Sequence, residues 1–130
     1  MSGAALGPPR VLLIDDNIGD VRLITAALES AVAGVEVRAA TDSTLAVAQL
    51  RDSVRSGAGP NLILLDLRMP KKRGFELLEE IRSDPQTRHL PIVVLTSSEA
   101  AQDVQGAYAR HANAVVTKPL AFHELQSAVR

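Results

Sequence analysis

The stretch Val11-Leu-Leu-Ile-Asp-Asp16 decides the fold, because four consecutive apolar residues lead directly into two acids. Four more short apolar runs follow it, and the five begin between 22 and 30 residues apart, at 11–14, 35–37, 62–65, 92–95 and 114–116. The runs are rich in Val, Ile and Leu and lack polar alternation, which is typical of strands covered on both faces. This spacing leaves room for a helix between successive strands, so we predict a parallel sheet.

The segments between the runs carry helical patterns. Apolar residues recur at helical spacing in three of them, at Val21, Ile24, Ala27, Leu28 and Ala31, at Leu45, Ala48, Leu50 and Val54, and at Phe75, Leu78 and Ile81. A fourth helix is predicted from Ser98, as N-cap, to Arg110, and a fifth from Ala121. Strand and helix alternating five times predict an open, doubly wound α/β fold, whose ligand site lies at the carboxyl ends of the strands.

The composition fits one soluble domain and argues against several classes of function. The 14 basic and 15 acidic residues leave a net charge of −1, too balanced for non-specific nucleic-acid binding. The apolar runs are far shorter than the ~20 residues that span a bilayer, so neither nucleic acid nor membrane is predicted as a partner. The absence of cysteine excludes thiol chemistry and suits a cytoplasmic location. Residues 1–9 are predicted to form a flexible leader, and residues 10–130 the domain.

Polar side chains follow four of the predicted strands. Asp15 and Asp16 come after the first strand, Asp66 after the third, Thr96 at the end of the fourth and Lys118 after the fifth. A single Asp in such a place is most often a turn or cap residue, but these residues converge on one edge. Two like charges ~4 Å apart repel by about 4 kcal/mol at an effective dielectric constant of ~20. A hard divalent cation such as Mg²⁺ or Mn²⁺ is therefore predicted between the carboxylates.

A divalent cation beside a carboxylate, a hydroxyl and an ammonium group is suited to a phosphoryl group. An aspartate can act as nucleophile and hold the group as an aspartyl phosphate. The metal, Lys118 and Thr96 would spread the charge on the transferring oxygens. The sequence has no Gly-rich phosphate loop, which argues against a nucleotide as the donor.

Four motifs in this order resemble the receiver domain of two-component response regulators: residues 11–17, residues 62–70 with Gly74 after them, residues 91–97 and residues 117–119. The resemblance covers residues 10–130 and implies a flavodoxin-like sheet in the strand order 2-1-3-4-5, with five helices. It implies that Asp66 is the phosphoacceptor, Thr96 the switch hydroxyl and Lys118 the cation that pairs with the phosphoryl group. The implied ligands of Mg²⁺, with Mn²⁺ possible, are Asp16, Asp66, the backbone carbonyl of Arg68 and, through water, Asp15. The Lys118–Pro119 peptide bond is expected to be cis.

Residues 16–24 and 82–91 resemble single-domain regulators associated with bacterial phytochrome kinases. This resemblance implies a sensor histidine kinase as donor, with a bacteriophytochrome as one candidate, and output through contact with a downstream protein. It also implies a candidate homodimer face formed by the fourth helix, fifth strand and fifth helix. Val115 stands where receivers commonly carry Tyr or Phe. We hypothesise that phosphorylation still draws Thr96 inward and shifts the fourth helix.

Two other functions remain open at the level of sequence. The first is a Mg²⁺-dependent phosphatase with an aspartate nucleophile, although such enzymes typically need an acid two positions later, where this chain has Arg68. The second is an interaction module that is not phosphorylated and keeps only the fold. The presence of all the acidic, hydroxyl and lysine residues argues against the second. The leading prediction is a switch with no enzymatic activity beyond its own phosphorylation and dephosphorylation.

Overall fold

The computed structural model describes residues 7–69, 71–96 and 101–118, and five strands in those ranges form one parallel sheet. The strands are β1 (Arg10–Ile14), β2 (Glu36–Ala40), β3 (Leu62–Asp66), β4 (Ile92–Thr96) and β5 (Ala114–Thr117). Their order is β2-β1-β3-β4-β5, which confirms the predicted flavodoxin-like sheet. Because all neighbours are parallel, the carboxyl ends of the strands lie along one edge.

The described ranges contain four helices between the strands: α1 (Ile18–Ala31), α2 (Ala46–Arg55), α3 (Gly74–Ser83) and α4 (Ala101–Ala109). The predicted fifth helix, the Ser98 cap and the Lys118–Pro119 bond fall at least partly outside the described residues. Across residues 7–69, 71–96 and 101–118, no helix combines the length and apolar character needed to cross a bilayer.

The core has two layers, one on each face of the sheet. Leu12 and Ile14 of β1 belong to a cluster on the side of α2 and α3. Leu13, between them in sequence, belongs to a cluster with Ile24 and Leu28 of α1. All five side chains are buried. Since successive strand residues point to opposite faces, an uninterrupted apolar strand fills both layers.

Two packing predictions are wrong in part. β2 lies at the edge of the sheet and most of its residues are exposed or half-buried, so it is not covered on both faces. In α2 the buried residues are Ala46, Val47 and Leu50, whereas Leu45 and Ala48 are exposed. The helix begins only after Leu45, which is its N-cap, so that side chain precedes the apolar stripe.

Gly74, the first residue of α3, lies directly against the end of β3. Its N–H donates to the Leu67 carbonyl oxygen at 3.1 Å. A Cβ at this position would lie 2.5 Å from the carbonyl oxygen of Asp66 and 2.6 Å from the Cα of Leu67. Only a glycine permits this approach, so α3 and the end of β3 hold each other in place.

Candidate functional site

Three aspartates form an acidic cluster where β1 and β3 end. One carboxylate oxygen from each of Asp15, Asp16 and Asp66 lies within 4.8 Å of the others. Asp15 and Asp66 are buried and Asp16 is half-buried. The chain leaves β1 toward β2 on one side while β3 lies on the other, and ligands of open α/β sheets bind at such a reversal. Three hard oxygen donors in this crevice fit a divalent cation.

Lys118 brings a positive charge to the acidic cluster from the end of β5. Its backbone N–H donates to the Thr96 carbonyl oxygen at 2.7 Å, which fixes it beside the end of β4. Its Nζ lies 2.7 Å from Asp15 Oδ2 and 3.6 Å from Asp66 Oδ1. Burial acts to lower the pKa of Lys118, but hydrogen bonds to carboxylates, chiefly that of Asp15, outweigh it and raise the pKa. The ammonium group therefore stays charged.

Asp20 is a third acidic partner of this lysine that the sequence interpretation missed. Its Oδ2 lies 2.8 Å from Lys118 Nζ. Its backbone N–H donates to the side chain of Asn17, the N-cap of α1. The Asn17-x-x-Asp20 spacing resembles a capping pair and could have drawn attention to the residue, but the contact with Lys118 depends on tertiary structure.

Thr96 and Arg68 flank the phosphoacceptor candidate. Thr96 is buried at the end of β4, one residue beyond Leu95, which pairs in register with Asp66. The Arg68 backbone N–H donates to Asp66 Oδ1 at 3.2 Å. The Arg68 side chain turns to Asp103 of α4, with its Nη2 2.9 Å from Oδ2. No short-range sequence pattern predicts this contact, because the two residues are 35 positions apart.

An open crevice of about 450 Å³ gives access to this site. Its lining consists of Asp16, Asn17, Asp20, Asp66, Arg68 and Lys118. The structure thus brings together the acids and the lysine that the sequence singled out, and it adds Asp20. Carboxylate oxygens and an ammonium group face one open space that can receive an anionic group together with a cation.

Burial raises the pKa of Asp66 to about 6, and the negative charge of Asp15 adds to this rise while Lys118 opposes it. The folded protein therefore holds a proton on Asp66 more tightly than the unfolded chain does, where the pKa is 3.8. The tighter proton binding by Asp66 in the folded state therefore contributes fully to the unfolding free energy below pH 3.8. This contribution is lost as the pH rises through about 6.

We expect the Asp66 carboxyl carbon to titrate near pH 6 in the metal-free protein, as measured by ¹³C NMR. Mg²⁺ should lower this midpoint, because a nearby cation favours the carboxylate. Only the ionised form is a nucleophile, so acid should also slow phosphorylation. The Asp66→Asn variant identifies the resonance, and a metal-free midpoint close to pH 4 would contradict the prediction.

The family model of the response regulator receiver domain matches residues 11–130, and the chain belongs to this family. Among its relatives, response regulator Rcp1 of Synechocystis sp. is 36% identical over 132 residues, which cover 100% of this chain and 90% of Rcp1. The crystal structure of Mn²⁺-bound Rcp1 superposes with a TM-score of 0.80 at 36% identity, covering 92% of this chain and 91% of that one.

Two further solved structures are similar over most of their length. The phosphorylated cyanobacterial phytochrome response regulator RcpA has a TM-score of 0.81 and 38% identity, covering 95% of this chain and 89% of its own. The bacteriophytochrome response regulator AtBRR has a TM-score of 0.81 and 36% identity, covering 94% and 90%. The predicted resemblance to regulators of the phytochrome type is confirmed.

Proposed function

We propose that this chain is the phosphoacceptor of a two-component system and that Asp66 carries the phosphoryl group. The position of Asp66 is the observation that carries the proposal. This buried carboxylate lies at the carboxyl end of the central strand, 3.6 Å from Lys118 Nζ and within 4.8 Å of two other acids. A nucleophile, an ammonium group and hard oxygen donors therefore share one crevice.

The transfer step makes an O–P bond and breaks an N–P bond. A carboxylate oxygen of Asp66 attacks the phosphorus of a phosphohistidine on the donor. The imidazole leaves with the electron pair of the N–P bond and takes up a proton from water. The Lys118 ammonium group pairs with the oxygens of the transferring group, and the Thr96 hydroxyl binds the group after transfer.

Mg²⁺ is the proposed resident cation, with Mn²⁺ as the alternative. Asp16, Asp66 and the backbone carbonyl of Arg68 would hold the ion directly, and Asp15 would act through water. The Asn17 N–H binds one oxygen of Asp15 at 3.0 Å and the lysine binds the other at 2.7 Å, which supports this indirect role. When bound, the cation offsets the charges of the carboxylates and stabilises the phosphoryl oxygens.

A sensor histidine kinase is the proposed donor. A bacteriophytochrome is the candidate suggested by the similarity to RcpA and AtBRR. We propose output through contact with a downstream protein, in the cytoplasm, without direct binding of nucleic acid or membrane and without enzymatic activity on other substrates. The proposed homodimer face comprises α4, β5 and the predicted fifth helix, and Tyr108 of α4 is 50% exposed there.

Incubation with a small phosphodonor and Mg²⁺ tests this function against both alternatives. We expect the intact mass to increase by one phosphoryl group, in an adduct that is stable to acid and labile to base. Chelation of the metal should abolish the adduct. Steady turnover of a phosphate ester would favour the phosphatase instead, although Arg68 is paired with Asp103 and offers no acid at that position. A chain that acquires no phosphoryl group would be an interaction module only.

Phosphorylation is expected to alter α4 although Val115 stands where receivers commonly carry an aromatic side chain. Val115 is half-buried and packs against the cluster that includes Ala107 of α4. Movement of Thr96 toward the phosphoryl group would be transmitted along the chain from the end of β4 to the start of this helix. We expect changed amide exchange across residues 101–109, with residues 46–55 of α2 as the internal reference. Unchanged exchange in α4 would contradict this.

The Arg68→Ala substitution should shorten the lifetime of the phosphorylated state more than it lowers stability. Arg68 lines the crevice, so we expect truncation of its side chain to give water easier access to the acyl phosphate. Its ion pair with Asp103 is 60% exposed on the arginine side, and exposed pairs contribute only ~0–1 kcal/mol. Phosphate release over time measures the lifetime. The Lys71→Ala variant, which loses an exposed ion pair with Asp42, is the control, and equal lifetimes for wild type and Arg68→Ala would contradict the prediction.

A further inference from the structure

The Lys118 ammonium group is shared unequally among three carboxylates. Its Nζ is 2.7 Å from Asp15 and 2.8 Å from Asp20, whereas Asp66 is 3.6 Å away. The first two contacts are hydrogen bonds and the third is an ion pair without one. An ammonium group has three N–H donors, so two are committed to carboxylates other than the phosphoacceptor candidate.

Asp15 is poorly suited to release the lysine. Its side chain is fully buried, and its other oxygen already accepts the Asn17 N–H. A buried carboxylate that loses its cation carries a large desolvation penalty. The Asp15 contact is therefore the fixed one.

Asp20 is better suited than Asp15 to release the Lys118 ammonium group. Its side chain is 36% exposed, so water can replace the ammonium group. It lies in the first turn of α1, where the helix dipole stabilises a negative charge without help from the lysine. The Asn17 cap binds the Asp20 backbone N–H rather than its carboxylate, so the helix start does not depend on the lysine contact.

We propose that Asp20 is a positioning residue, which holds the Lys118 ammonium group in the unphosphorylated protein and gives it up when Asp66 carries a phosphoryl group. The inference rests on the proposed function of Asp66. A phosphoryl group on Asp66 adds several anionic oxygens beside the lysine. The third N–H donor can reach one of them, and a second hydrogen bond to them takes the donor that Asp20 holds. Asp20 thereby competes with the phosphoryl group and favours the unphosphorylated state.

Trifluoroberyllate, a phosphoryl mimic that binds the aspartate carboxylate, allows an equilibrium test in saturating Mg²⁺. Loss of the competing carboxylate should make Asp20→Asn and Asp20→Ala bind trifluoroberyllate about fivefold more tightly than wild type, the factor given by a partly exposed ion pair of ~1 kcal/mol. Asp20→Glu, which keeps the charge, should bind nearly as wild type does. Asp52→Asn removes the same charge from an exposed position on α2 and is the matched control.

The carboxyl carbon of Asp20 supplies a direct readout by ¹³C NMR. In the wild type its resonance should move when trifluoroberyllate is added, because its ammonium partner leaves, while that of Asp52 should not. Equal or weaker binding by Asp20→Asn, or an unmoved Asp20 resonance, would overturn the inference and leave the proposed function intact. Failure of the wild type to bind trifluoroberyllate at all would overturn the proposed function, and the inference with it.

Discussion

The Lys118→Met variant is expected to be phosphorylated about 100-fold more slowly than wild type by the same donor. Removal of one hydrogen-bond donor that stabilises developing negative charge costs ~10²–10³ in rate. The lysine also opposes the rise in the pKa of Asp66, so its loss leaves less of the ionised nucleophile at neutral pH. Intact-mass spectrometry over time, in saturating Mg²⁺, gives the rate.

The Lys72→Met variant is the matched control for Lys118→Met. Lys72 is also shielded from solvent in part and forms an ion pair, with Glu80 of α3, but it lies outside the acidic cluster. Its substitution should change the phosphorylation rate by less than about twofold, as expected for a group that does not touch the reacting atoms. Circular dichroism confirms that both variants are folded. A folded Lys118→Met that is phosphorylated at the wild-type rate would contradict the role of the lysine.

The Gly74→Ala variant is expected to lose ~3 kcal/mol of unfolding free energy, since overpacking against backbone costs ~1–3 kcal/mol or more. The added Cβ would lie 2.5 Å from the Asp66 carbonyl oxygen and 2.6 Å from the Leu67 Cα, so backbone rather than a flexible side chain has to shift. The end of β3 would shift, so slower phosphorylation should accompany the loss of stability. Urea denaturation in the absence of metal measures the unfolding free energy.

The Gly106→Ala variant separates a backbone clash from a general effect of glycine replacement. The three atoms nearest to its Cβ would belong to side chains rather than backbone, the first of them in the Phe75 ring at 2.8 Å. Alanine also favours helix over glycine by ~1 kcal/mol, so the net change should be below about 1 kcal/mol. Equal stability of Gly74→Ala and wild type would contradict the proposed constraint at the end of β3.

The sheet could be predicted from the sequence because the pattern that indicates a strand lies within a few neighbouring residues. The apolar runs are short and regularly spaced, and four of the five are followed by site residues at one edge of the sheet. Asp15 and Asp66 come from two runs that are neighbours in the sheet. The residues of β2 did not predict its exposure, because a short apolar run has the same pattern in an edge strand as in a central strand. Only the strand order that the resemblance implies places β2 at the edge. The residues that α2 buries likewise differ from the predicted ones, because they depend on where the helix begins.

Contacts between distant residues account for the rest of what the sequence did not reveal. Asp20 reaches Lys118 across 98 positions, and Arg68 reaches Asp103 across 35. A carboxylate in a first helical turn and an exposed arginine after a strand both have common structural explanations. Only the folded chain shows that Asp20 lies beside the phosphoacceptor candidate and that the Arg68 side chain pairs with Asp103.

The most direct measurement compares the intact mass of wild type, Asp66→Asn and the control Asp52→Asn after incubation with a phosphodonor and Mg²⁺. We expect one phosphoryl group on wild type and on Asp52→Asn, and none on Asp66→Asn. A phosphoryl group on Asp66→Asn, or its absence from folded wild type in saturating Mg²⁺, would contradict the assignment of Asp66 as the phosphoacceptor.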